Sequence, residues 1–175
     1  MTLPISPSQT IGPFSHEGWR WAVGATDDSV AALAGKDTIV VSGTVRDGAG
    51  APIDDAMIEC WSPASAAVES MLTLPGFRRA ATDSEGRYRF TLTRPNALEA
   101  GKPLGYITVF ARGLVLHQFS AVFLEDEAGL AQSELLLQVP EERRATLIAR
   151  KTGDATYEWD IKMQGDNETV FFDYT

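Results

Sequence analysis

The sequence predicts an all-β fold: a β-sandwich of mainly antiparallel strands with a long N-terminal arm and one short helix. Three observations predict it. Short runs of β-branched and aromatic residues recur along the chain, clusters of Gly, Pro, Asp and Asn separate them, and a single stretch carries helix-end signals. The 175 residues, 44% hydrophobic and 22% charged, match a globular domain with one sizeable core.

Residues 1–36 read as the arm, and 37–175 as the sandwich domain. Within the arm, QTIGPFSHEGW (residues 9–19) alternates turn residues with large aromatics, Phe14 and Trp19, and Trp21 follows. Its glycines and Pro13 argue against both helix and strand. The first strand is TIVVSGTV (38–45), rich in β-branched residues and stopped by the turn cluster DGAGAP (47–52); the second is 56–61. Residues 81–92 predict a hairpin, since the turn Asp83-Ser84-Glu85-Gly86 leads into Tyr88, Phe90 and Leu92 on one buried face. Strands at 106–111 and 117–123 are divided by Arg112-Gly113, and a last pair at 157–163 and 169–173 flanks Gly165-Asp166-Asn167. The helix is 140–149, with Pro140 at its start, Glu141 and Glu142 in its first turn and Arg143 and Arg144 after them. Residues 62–79 are predicted irregular, and a loop that long is functional or covered.

With 24 acidic against 15 basic residues the net charge is −9, which repels phosphate backbones and anionic lipid. No nucleic acid and no membrane is expected as a partner. The chain shows no apolar run of membrane-spanning length and no secretion signal, so a soluble cytoplasmic protein is expected. The single cysteine, Cys60, lies in the apolar run AMIECW and reads as a small core residue. Chemistry-bearing residues are sparse. His16 and His117 are the only histidines, no Gly-x-Ser-x-Gly, phosphate loop or His-Glu-x-x-His occurs, and Glu125-Asp126-Glu127 cannot converge on one ion from an extended chain.

Several stretches taken together resemble the intradiol ring-cleaving dioxygenases, in their alpha-type chains: TIGPF (10–14), GTVRDGAGAPIDDA (43–56), ATDSEGRYRF (81–90), FARGL (110–114) and ETVFFD (168–173). They run in order over nearly the whole chain. The resemblance implies a paired assembly in which a related beta-type chain holds Fe(III) through two tyrosines and two histidines. That ion activates a catecholic aromatic acid toward oxygen, as in conversion of protocatechuate and O2 to 3-carboxy-cis,cis-muconate. The family's His-x-His precedes the strand ending in Phe-Ala-Arg-Gly; counting back from Phe110 it falls on Leu104 and Tyr106. The ligand tyrosines belong in 62–70 and 96–102, where this sequence has none. Leu and Ala side chains cannot replace phenolate and imidazole donors. No metal and no catalytic residue is therefore expected in this chain.

The resemblance also implies that the arm lies against the beta-type partner. Thr10, Gly12 and Pro13 then form part of the substrate-pocket wall, and Phe14, Trp19 and Trp21 serve as interface anchors. The opposing reading, an arm folded back over its own sandwich, stays open for each aromatic. An arginine that alpha-type chains direct toward the shared pocket is here Ala121. Two roles follow: a subunit completing a partner's pocket, or a stand-alone sandwich that lost catalysis and binds a ligand or another protein.

Overall fold

The computed structural model describes residues 15–33, 37–95 and 98–173, and within the first helix it leaves the side chains of 15–17, 20, 25 and 27–29 undescribed. In chain order the elements are α1 (Ser15–Ala31), β1 (Thr38–Arg46), β2 (Met57–Trp61), α2 (Pro63–Val68), β3 (Phe77–Ala81), β4 (Arg87–Thr93), β5 (Gly105–Phe110), β6 (Gln118–Leu124), α3 (Glu134–Leu137), β7 (Ile148–Lys151), β8 (Thr156–Glu158) and β9 (Ile161–Lys162). Two 3-10 turns, Leu130–Gln132 and Glu141–Leu147, flank α3.

The strands hydrogen-bond in the order β3-β2-β5-β6-β7-β8-β1-β4, with β9 also on β1. This is one curled sheet, where the sequence predicted the two sheets of a sandwich. Pairing is antiparallel except at β6 with β7 and at β1 with β8 and β9. Strand twist curls the sheet until its ends approach each other: Arg78 of β3 donates from Nε to the Thr91 carbonyl of β4 at 2.8 Å. The enclosed face buries Val41, Val45, Ile58, Phe90, Leu92 and Ile107. A second, smaller cluster forms where α3 and the following 3-10 turn cover Ala121 and Phe123 of β6.

The predicted hairpin at 81–92 is corrected. Its turn exists, with Asp83 N–H donating to Arg87 O at 3.0 Å and Gly86 at φ +72. Its arms part, however: β3 pairs with β2 and β4 with β1. The turn carries the chain from one end of the sheet to the other. Tyr88, Phe90 and Leu92 do share the buried face.

The leader is also corrected, because 15–31 is a helix. Gly18 and Gly24 each disfavour it by about 1 kcal/mol, but Trp19, Val23, Thr26 and Val30 recur at helical spacing. Trp19 and Thr26 are buried, and Val23 and Val30 line a cleft of about 500 Å³ between α1 and the β3–β4 edge. Tertiary packing overrides propensity here. The predicted helix at 140–149 is a 3-10 turn that runs into β7, and it is not the only helix. The predicted strand at 157–163 splits into β8 and β9, and 169–173 contributes only the bridge Phe119–Phe172. Among the described residues no helix is long and apolar enough to cross a membrane.

Candidate functional site

Strand β2 delivers Trp61 opposite Tyr106 of β5. Their rings stack with centroids 6.1 Å apart and planes inclined by 27°, yet Trp61 keeps 48% and Tyr106 39% of its surface exposed. Large aromatics on an outer sheet face are expensive to leave open unless something covers or uses them. Directly after Trp61, Ser62 caps α2 by accepting from the Ser65 amide, and Pro63 takes the first helical position, where its missing N–H costs nothing. This turn brings Pro63 and Ala64 up beside Tyr106. From the other side a turn closed by Lys102 N–H donating to Glu99 O at 3.0 Å leads through Pro103 into β5. Between them lies a cleft of about 380 Å³, walled by Pro63, Ala64, Leu98 and Pro103 and offering the side chains of Glu99, Lys102 and Tyr106.

The cleft gathers the segments in which the resemblance would seek metal ligands: the loop after Trp61, the stretch ahead of β5, and Tyr106. Leu104 does not join them. A strand's alternation would put Leu104 and Tyr106 on one face, but Leu104 is fully buried in the main core and Tyr106 opens outward. The switch falls at Gly105, where an added Cβ would stand 2.7 Å from Cys60 Sγ. One phenol, one carboxylate and one ammonium remain, and an ammonium repels a cation; this set does not fit a ferric ion that takes phenolates and imidazoles. Among the described residues no group of three or more His, Cys, Asp and Glu is placed to hold a metal ion. Cys60 is buried in the main core, and desolvation, partly offset by Arg78, pushes its thiol up to about 12. It is a packing residue, as its apolar run predicted.

Under the loop between β2 and β3 sits a feature that the sequence reading missed. Glu69 and Arg78 form an ion pair at 2.7 Å, and the Glu69 carboxylate also accepts from Gly76 N–H at 2.7 Å and Thr93 N–H at 2.9 Å. Burial favours the protonated acid, but the amide and guanidinium donors overcome it and hold Glu69 below the usual carboxylate range. Once β3 is recognised as a strand, alternation alone turns Arg78 inward; without β3, only an arginine in a loop was visible.

Of the residues singled out from sequence, Thr10, Gly12, Pro13 and Phe14 lie outside the described residues. Trp19 and Trp21 sit on α1 and part company: Trp19 is 8% exposed and packed within this chain, whereas Trp21 is 79% exposed. Ala121 is fully buried in a cluster with Phe123, Leu136, Val139 and Leu147. Arg112 pairs with Asp55 at 3.0 Å, and His117 stands between the rings of Phe110 and Phe119. The acidic run is structural: Glu125 accepts from Lys151 N–H, and Asp126 from Lys151 Nζ and the Tyr157 hydroxyl.

No family model matches the chain. Among curated proteins it is 33% identical to the protocatechuate 3,4-dioxygenase alpha chain of Burkholderia cepacia, over 98% of each. It is also 26% identical to the beta chain of that enzyme from the same organism, over 95% of this chain and 78% of the relative. Among solved structures it is similar to the dioxygenase domain of a dioxygenase carbohydrate-binding protein fusion from Streptomyces sp. SirexAA-E. That match has a TM-score of 0.58 at 15% identity, covers 94% and 92% of the two chains, and shows the fold.

Proposed function

Because the chain belongs to the family of protocatechuate 3,4-dioxygenase alpha chains, within the intradiol ring-cleaving dioxygenases, we propose that it is the alpha-type subunit of such an enzyme and completes the substrate pocket of a beta-type partner. The partner holds Fe(III) through two tyrosines and two histidines and supplies the oxygen chemistry. This chain holds no iron and is inactive alone. The reaction is cleavage of a catecholic acid between its hydroxyl-bearing carbons, protocatechuate and O2 giving 3-carboxy-cis,cis-muconate. The observation that carries the reading is the full-length likeness to an alpha chain combined with the donor set at Tyr106. The positions that would ligate iron have become a buried leucine, an outward tyrosine and segments without phenols.

In this reading Thr10, Gly12 and Pro13 form one wall of the partner's pocket, and proline stiffens the turn without adding a donor that needs a mate. Phe14 and Trp21 anchor the arm on the partner, and Trp19 braces α1 from within. With Ala121 buried in its own cluster, this chain offers no arginine at that position to attract the substrate's carboxylate, which therefore depends on other groups.

The test is co-expression with a candidate beta-type chain that retains the two tyrosines and the His-x-His. Co-purification as a stoichiometric complex, one iron per pair and oxygen uptake with protocatechuate are expected. Absence of association, with this chain stable as a lone oligomer, would overturn the proposal in favour of a stand-alone binding module.

A further inference from the structure

The cleft beside Tyr106 has the make-up of a ligand site in its own right. Its volume of about 380 Å³ falls in the range of small-molecule pockets, about 300–1,000 Å³. Pro63, Ala64, Leu98 and Pro103 give it apolar walls, and beside them lies the partly open face of Tyr106, stacked on Trp61. Such walls select a small planar apolar body. Among the described residues Lys102 supplies the only cation of the lining, and no carboxylate among them pairs with its ammonium. Glu99 stands at the same mouth, three residues away on the same turn. A buried or half-buried anion is held by charge-assisted hydrogen bonds from an unpaired cation and is opposed by a neighbouring carboxylate.

We infer that this cleft binds a small aromatic carboxylate, its ring against Tyr106 between the two prolines and its carboxylate on Lys102. The inference does not rest on the proposed pairing with a beta-type chain, since each of these residues belongs to this chain. Glu99 makes the site weak for acids and sets a sign: neutralising Glu99 tightens binding, and neutralising Lys102 loosens it.

The test is calorimetric titration of the full chain with benzoate and with the uncharged isostere benzamide. Wild type is expected to bind benzoate saturably at one site per chain and benzamide about tenfold more weakly, one charge-assisted contact's worth. Lys102→Gln is expected to lower benzoate affinity about tenfold and leave benzamide unchanged, and Glu99→Gln to raise benzoate affinity severalfold. Tyr106→Leu weakens both ligands. Because Lys102 and Glu99 are exposed, their variants keep the fold. The same difference between wild type and Lys102→Gln is expected when the chain is titrated in complex with a beta-type partner. No saturable benzoate binding by the wild-type chain, or equal benzoate affinity in wild type and Lys102→Gln, overturns the inference. Benzoate binding without partner association overturns only the proposed function, and association without benzoate binding by this chain overturns only the cleft.

Discussion

The Arg78 guanidinium and the Glu69 carboxylate meet at 2.7 Å with both side chains 1% exposed, and through this contact the loop after β2 is tied to both ends of the curled sheet. Glu69 reaches the Thr93 amide at the end of β4, and Arg78 reaches the Thr91 carbonyl within it. A buried ion pair contributes little net stability over an apolar replacement, but removing one partner strands a charge. Arg78→Met is therefore expected to destabilise the fold by about 3–5 kcal/mol, read as a lower midpoint in urea. An unchanged midpoint would show that the two ends are held by something else.

Acid should find the same pair. The folded-state pKa of Glu69 lies below its ordinary 4.5, so its ionised form contributes stability that is complete above that value and is lost as pH falls through the lower folded-state value. Unfolding free energy measured across this window should fall with decreasing pH. Glu69→Gln, less stable at neutral pH, should show a shallower decline, with the remaining slope coming from Asp83 and Asp126, whose carboxyls are also held low by Arg87 and Lys151. Parallel acid limbs in wild type and variant would contradict the assignment.

Local pattern made β1, β2, β4, β5 and β6 legible, because alternation and β-branched runs are read within a few residues. Pairing was not legible: the turn at Asp83–Gly86 looks the same whether its arms bond to each other or to opposite ends of a sheet. Helix α1 was hidden by Gly12, Pro13 and Gly18, which made the leader look broken, although Trp19, Val23, Thr26 and Val30 carried its period. At the site, the sequence located Leu104 and Tyr106 as the residues standing where ligands would be. It could not show that they face opposite ways, because the switch at Gly105 depends on packing against Cys60 from a different strand.

A close backbone approach makes Gly43 irreplaceable. A Cβ there would stand 1.8 Å from the Trp159 carbonyl oxygen, which also accepts the Tyr88 hydroxyl at 2.5 Å. No side-chain rotation relieves a clash with backbone, so Gly43→Ala should cost at least about 3 kcal/mol and separate β1 from the segment joining β8 to β9. Gly50, at φ +83 with nothing within 4 Å of an added Cβ, should lose only about 1–2 kcal/mol on mutation to Ala, from backbone strain alone. Urea denaturation of the two variants side by side separates steric from conformational cost; equal losses would refute the distinction.

The two tryptophans of α1 should separate folding from partnership. Trp19 is buried in this chain, so Trp19→Ala should destabilise it by about 3–5 kcal/mol. Trp21 exposes 79% of its surface, so Trp21→Ala should change the stability of the isolated chain by no more than about 0.5 kcal/mol. An exposed indole on a helix that precedes the sheet is the kind of residue that dominates an interface when a partner desolvates it, and its truncation then costs about 2 kcal/mol or more of association, roughly thirtyfold in Kd. Measuring Kd for the beta-type chain with wild type and Trp21→Ala, alongside thermal unfolding of each, reads both quantities. A variant that pairs as tightly as wild type would remove Trp21 from the proposed interface.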